Sequence, residues 1–295
     1  MGNLCALLAA ITWASALVPF KHSGDRLSPI ALNLFKNVVG LACLLVTLAV
    51  MGDGLSVLRP FEPIDVIILM LSGFLGITLA DTAFLQSLRL IGVGLVSIVE
   101  CLYSPLVMLC SLLLLSEVLK TWDYVGAALV LSGVYISSRH APPPGRTTRQ
   151  LTAGILLGAL SMVLMAFGIV IAKPVLEINN FPLIWGATLR LLMGTVALAL
   201  LTLASPERRA HWAVFRPAAV WRTAIPASVL GTYLAMVFWI AGFKFTQASV
   251  AGILNQTSVV FSILLAAMFL KEPLNTRKIT AVVLALAGVG LVMLE

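Results

Sequence analysis

The sequence predicts an all-α membrane protein whose ten transmembrane helices form two inverted five-helix repeats. Three observations carry that prediction. Of 295 residues, 60% are apolar and only 11% charged, with a mean hydropathy of +1.07, too little polar surface for a water-soluble globule. Ten apolar runs follow one another between short polar breaks, and the second half of the chain repeats the first.

The first five runs are Leu4 to Phe20, Ile30 to Met51, Ile64 to Leu88, Ile91 to Leu115 and Tyr124 to Ser138. The second five are Leu151 to Ala172, Pro182 to Leu203, Thr223 to Phe245, Ala248 to Leu270 and Ile279 to Leu294. Most are long enough to cross ~30 Å of hydrocarbon, which a single segment does only as a helix, because every backbone polar group must find its partner internally. Strands are excluded, since a membrane barrel shows alternating segments of ~10 residues and not continuous runs. The first run lacks a basic leader and a cleavage site, so it is expected to remain as a span.

Two connections stand out. The stretch 139–150, with Pro142, Pro143 and Pro144 in succession, cannot be helix. It is a linker between a first unit, 1–138, and a second, 151–295. The other, Ser205 to Arg222, mixes Arg208, Arg209, Arg216 and Arg222 with Trp212, Phe215 and Trp221, a composition suited to the headgroup layer.

Sliding the chain by 155 places Leu109 to Val134 over Leu264 to Val289 with nine of 26 positions identical. Chance matches of leucine do not account for Glu117 over Glu272, Thr121 over Thr276 or Gly133 over Gly288. The same offset carries Gly76 onto Gly231, Phe84 onto Trp239 and Arg89 onto Lys244. Five helices per unit is an odd number, so the second unit enters the membrane in the opposite sense. Inverted repeats of this kind let a central site open alternately to either side.

The run Gly76-Ile77-Thr78-Leu79-Ala80-Asp81-Thr82-Ala83-Phe84, then Leu90-Ile91-Gly92, then Leu112 to Leu115 closing in Ser116-Glu117 with Gly133-Val134 beyond, resembles the EamA-type unit of the drug/metabolite transporter superfamily. Leu264 to Leu270, Glu272 and Gly288-Val289 resemble its second copy. The resemblance covers essentially the whole chain. It implies ten helices, a central cavity, and transport, often export, of small metabolites such as amino acids. The motif is structural and names no substrate.

Four ionisable residues fall inside the runs: Lys36, Asp81, Glu100 and Arg190. Each costs ~2.5 to 3.5 kcal/mol at a helix centre on the gentlest insertion scale, so each needs a partner, a wet cavity or a route to the interface. Two ion pairs that staple helices satisfy that need without any function. Glu100 is the stronger candidate for a substrate-binding or coupling role, because Ser97, Ser104 and Ser111 share its helical face and Pro105 kinks the helix nearby. The repeat places Asn255 at its position, followed by Ser258 and Ser262. Asp81 is second choice; its repeat partner is Met236. Lys36 and Arg190 stand ~10 to 12 Å along their helices, near enough to an end to snorkel or, facing inward, to clamp a carboxylate, which Arg190 does bidentately. Trp13, Tyr103 and Trp239 are candidate cavity walls. Glu117 and Glu272, beside Thr121 and Thr276, read as structural helix ends.

The histidines, His22, His140 and His211, read as scattered loop residues, and no HExxH motif, Walker loop or intramembrane aspartate pair is visible. An enzyme reading therefore finds no support; neither a metal nor a cofactor is called for. The net charge of +7 is spread over loops and forms no nucleic-acid stripe. The expected partners are the lipid bilayer, a small-molecule substrate and protons, and the expected state is a monomer or homodimer in a bacterial or archaeal cytoplasmic membrane. Two acids and two bases around one cavity suit a zwitterion. An unpaired acid there can exchange a proton as the cavity opens to each side, and a paired one cannot. The competing readings are a carrier or flippase of lipid-linked or cationic substrates, and a membrane scaffold that transports nothing.

Outside the runs, 13 Lys and Arg fall in the odd-numbered connections and four in the even-numbered ones. Positive-inside bias then puts both termini outside. A reporter active only in the cytoplasm is expected to stay silent at either terminus; strong activity contradicts the orientation.

Overall fold

The computed structural model of the chain describes residues 1–116, 121–138, 147–177, 181–216, 219–271 and 276–293. Among these every regular element is helical. In the first half they are α1 (Gly2–Gly24), α2 (Pro29–Met51), α3 (Pro63–Gly73), α4 (Asp81–Glu100), α5 (Tyr103–Leu115) and α6 (Thr121–Ser138). In the second half they are α7 (Thr148–Glu177), α8 (Leu183–Ala204), α9 (Arg208–Trp212), α10 (Trp221–Ser228), α11 (Ala235–Phe245), α12 (Ala248–Asn255), α13 (Thr257–Leu270) and α14 (Thr276–Met293). Local chemistry sets several of these bounds. Ser28 caps α2 by accepting from the Ala31 amide at 3.2 Å, Pro29 opens its first turn, and Gly52 closes it at φ 75°.

Among the described residues seven helices are long and apolar enough to cross a membrane, where the sequence suggested ten. Three runs account for the difference: the third and fourth are joined into one element, and neither α6 of the fifth run nor the short apolar stretch Ile279–Gly288 of the tenth is among the seven. Helical hydrogen bonding continues from Pro63 to Glu100 as one 38-residue element, yet at 1.5 Å per residue that is ~57 Å, far more than a bilayer needs. Gly92 breaks it: at φ 79° and ψ 173° it holds a conformation open to glycine and not to L side chains. The rest of the fourth run is interrupted again at Cys101–Leu102, so Tyr103–Leu115 is a short apolar helix.

The backbone repeats its irregularities at the offset found in the sequence. π-helical turns occupy Phe74–Ala80, joining α3 to α4, and Val229–Leu234, joining α10 to α11. Tight turns follow Glu100 and Asn255, with Cys101 N–H reaching the Ile98 carbonyl and Gln256 N–H the Ile253 carbonyl. Ser116 and Lys271, at φ 55° and 53°, are the two non-glycine residues with positive φ among the described residues. Each pair is separated by 155.

Helices of one half pack on those of the other: α1 on α11, α2 on α8, α4 on α7 and α6 on α14. Small residues set the closest approaches, as membrane helices require. The stretch Ser205 to Arg222 is seated on the bundle and does not lie free: His211 and Val214 are buried, the His211 Nδ1 and Ser28 hydroxyl lie 3.1 Å apart, and Trp221 donates to the Val214 carbonyl at 2.8 Å. His22 belongs to α1 and His211 to α9, so neither is in a loop; the apolar runs understate how far helices extend into polar residues. The same reason takes Arg89, Lys173 and Lys244 out of the loops, since α4, α7 and α11 contain them, and likewise Lys21, Arg149, Arg208, Arg209, Arg222, Arg277 and Lys278, which lie in α1, α7, α9, α10 and α14. Residues 139–146 of the linker, Glu117 and Glu272 lie outside the described residues.

Gly133 lets α6 touch α14: a Cβ there meets the Ala281 carbonyl oxygen at 2.7 Å. Gly133→Val is expected to cost about 1–3 kcal/mol by overpacking and to lower the thermal midpoint in detergent. An unchanged midpoint contradicts the contact.

Candidate functional site

A cavity of about 130 Å³ lies where the two halves meet. Its wall includes Trp13 of α1, Lys36 of α2, Asp81 and Glu100 of α4, Tyr103 of α5, Arg190 of α8, Trp239 of α11 and Asn255 of α12. The structure thus places all eight candidate binding or coupling residues on one wall. Both π-helical turns and both tight turns border it, through Gly76 and Ile77, Gly231 and Thr232, and Glu100 and Gln256. The backbone irregularities are therefore concentrated at the cavity, where freed backbone groups find polar partners.

Lys36 and Asp81 pair at 2.5 Å and are 2% and 7% exposed. Snorkelling is overturned for Lys36, because its ammonium has a buried carboxylate and the Asn37 carbonyl, at 3.0 Å, as acceptors. Asn37 donates to Asn33 at 3.1 Å, and Asn33 donates to Thr82 and to the Ile77 carbonyl of the π-helical turn, both at 2.8 Å. This fully bonded network holds α2 against α4.

Glu100 and Arg190 are buried and form no ion pair among the described residues. Glu100 Oε1 accepts from the Trp13 indole at 2.9 Å, while Oε2 has no hydrogen-bond partner. It stands at the C-terminal end of α4, whose carbonyls carry partial negative charge, and carboxylate and helix end together attract a cation. Pro105 contributes by withholding the N–H that would bond the Cys101 carbonyl. The Gln256 amide braces the turn by donating to the Glu100 carbonyl at 3.1 Å. Arg190 does not snorkel either. Its guanidinium donates to the Ser72 hydroxyl, lies over the Trp239 ring at 5.2 Å, and leaves Nε unsatisfied.

Three further polar atoms on the wall are buried without partners: the Tyr103 hydroxyl, Thr232 Oγ1 and Asn255 Nδ2. Each such atom costs about 1–3 kcal/mol unless something supplies the missing bond. Their convergence with Glu100 Oε2 and Arg190 Nε makes this a place for a polar ligand or ordered water. The rest is apolar: Trp13 packs on Phe84 at 5.6 Å, and Met162, Met165 and Met236 fill the wall.

The serine stripe is placed differently from the sequence reading. Ser97, Ser104 and Ser111 are buried but off the cavity wall, and Ser262 likewise; Glu100, Tyr103, Gln256 and Ser258 are the residues that face it. The turns after Glu100 and Asn255 rotate the following helices, so a stripe drawn on one continuous helix does not survive them. Thr232, Gln256 and the methionines were missed because nothing in their spacing separates them from packing residues. Lys173 was missed as a buried charge. It pairs with Glu177 and donates to the Phe243 and Thr246 carbonyls at 3.2 Å, closing the end of α11.

The sequence profile of the EamA-like transporter family matches residues 1–139 and 152–294. No curated protein matches the chain. A solved structure described only as "Crystal structure of protein" is similar with a TM-score of 0.75 at 21% identity, over 99% of this chain and 96% of that one. A likeness at that identity is one of fold.

Removing one partner of a buried ion pair leaves an uncompensated charge, which costs about 3–5 kcal/mol, whereas replacing both by apolar residues is close to neutral. Asp81→Leu is therefore expected to destabilise the protein strongly and Lys36→Met/Asp81→Leu to restore most of the loss in detergent melts. Equal melting of the single and double variants contradicts the pairing.

Proposed function

The chain belongs to the EamA-like transporter family, and from that premise we propose that it is a secondary, ATP-independent exporter of a small zwitterionic metabolite such as an amino acid. One observation carries the substrate class: the cavity holds a carboxylate and a guanidinium that neutralise each other nowhere, at Glu100 and Arg190. A zwitterion satisfies both, its ammonium at Glu100 Oε2 and its carboxylate at the Arg190 fork. Asn255, Thr232 and Tyr103 supply the remaining hydrogen bonds. Trp13, Trp239 and the methionines receive the apolar part of the substrate. Lys36 and Asp81 neutralise one another and keep the wall in shape.

The units 1–138 and 151–295, joined by the linker 139–150, act as ten spans in two inverted repeats that rock around this site. The loop charges orient the odd-numbered connections to the cytoplasm, and the outward direction rests on the family resemblance. Glu100 couples transport to protons: with its proton it cannot hold the ammonium, and without it the carboxylate must be met by substrate. Binding and protonation then exclude each other, which is what exchange of a substrate for a proton requires.

Reconstituted protein is expected to catalyse saturable counterflow of its amino acid. Glu100→Gln should keep the fold, since the repeat tolerates an amide at Asn255, and abolish pH-dependent transport across about pH 5 to 8. A Glu100→Gln variant that transports like the parent over that range sinks the coupling role.

A further inference from the structure

A second cavity, of about 360 Å³, lies on the other side of α4 from the first. Ile77 and Asp81 face the central cavity, whereas Thr78, Leu79, Thr82 and Ala83 face this groove. Its remaining walls come from Ile30 of α2, Leu157 of α7, Leu198 and Leu201 of α8, and His211 of α9. The groove opens to the flank of the bundle: Leu79 is 37% exposed and Leu201 54%, on helices whose exposed faces are apolar. In a membrane protein that flank is occupied by acyl chains.

Polarity is graded along its length. Leu79, Leu157 and Leu198 line one end. At the other end stand Gln86, six residues before the Gly92 break in α4, and Ser205 and His211, which follow the end of α8. His211 is held in place at 5% exposure by the Ser28 hydroxyl. The short α9 that carries it also carries exposed Arg208 and Arg209; the acid before it, Glu207, is 78% exposed and its carboxylate lies 3.9 Å from His211 Nε2. An apolar channel ending in hydroxyl, amide and imidazole groups, with two exposed arginines on the helix that carries the imidazole, complements one kind of molecule already present in the bilayer.

We propose that this groove is a binding site for an anionic phospholipid, with one acyl chain along Leu79, Leu157 and Leu198. Its phosphate lies at Ser205 and His211, within reach of Arg208 and Arg209. The site is distinct from the transport cavity and does not depend on the identity of the transported substrate. Surface arginines attract anionic headgroups at about 1 kcal/mol each, or roughly fivefold in affinity, so the two together favour an anionic over a zwitterionic lipid.

Native mass spectrometry of the purified full chain, exchanged in micelles against phosphatidylglycerol or phosphatidylcholine, tests the site. Phosphatidylglycerol should be retained one per chain under conditions that strip phosphatidylcholine, and Ala83→Trp, which fills the groove, should lose it. Arg208→Ala with Arg209→Ala alters only exposed side chains and should weaken the anionic lipid by about twentyfold or more. Equal retention of the two lipids overturns the proposal, as does retention unchanged in folded Ala83→Trp. Should Ala83→Trp fail to fold, an unchanged preference in the arginine double variant overturns it alone.

Discussion

Charge buried in a helix bundle has to be answered by something, and the way this chain answers it organises the rest of the structure. Four ionisable side chains line the central cavity, and only Lys36 and Asp81 answer each other. Their pair holds α2 and α4 together through Asn33 and Asn37. Glu100 and Arg190 receive only neutral partners, Trp13 and Ser72, and each keeps an atom unsatisfied. A bundle selected for stability alone replaces such groups by apolar ones at little cost. Their retention around an accessible space is the physical reason for reading the cavity as a binding site.

Backbone irregularity and polar chemistry coincide here. A regular helix offers no backbone groups to a ligand or a neighbour, and the π-helical and tight turns locally release them. Both repeats carry these turns at the same offset, and both sets border the cavity. The scaffold is therefore symmetric while the side chains are not: Glu100 faces the repeat as Asn255, and Asp81 as Met236. Departures from the repeat mark the positions where a common backbone has been given separate chemical tasks.

Much of this was legible in the sequence, for definite reasons. Composition betrays a membrane, because hydrocarbon tolerates few charges. The offset of 155 betrays the repeat, because both halves need the same turns; and intramembrane charge betrays the site, because it is costly elsewhere. The pairing pattern was not legible. Lys36 and Asp81 are 45 residues apart and Trp13 and Glu100 are 87 apart, and helical spacing fixes a face without saying which neighbour that face meets. The turns after Glu100 and Asn255 undid the serine stripe for the same reason. Lys173 escaped because apolar runs end before the helices do.

The central claim is that one cavity holds two separate poles for one zwitterion. Titration calorimetry on the purified protein with an amino acid that it transports, the methyl ester of that amino acid and its N-acetyl derivative measures both poles. The account predicts binding of the intact amino acid and a loss of at least tenfold in affinity for each derivative, since the ester leaves Arg190 and the N-acetyl derivative leaves Glu100 unanswered in the cavity. An ester or N-acetyl derivative bound as tightly as the amino acid contradicts it.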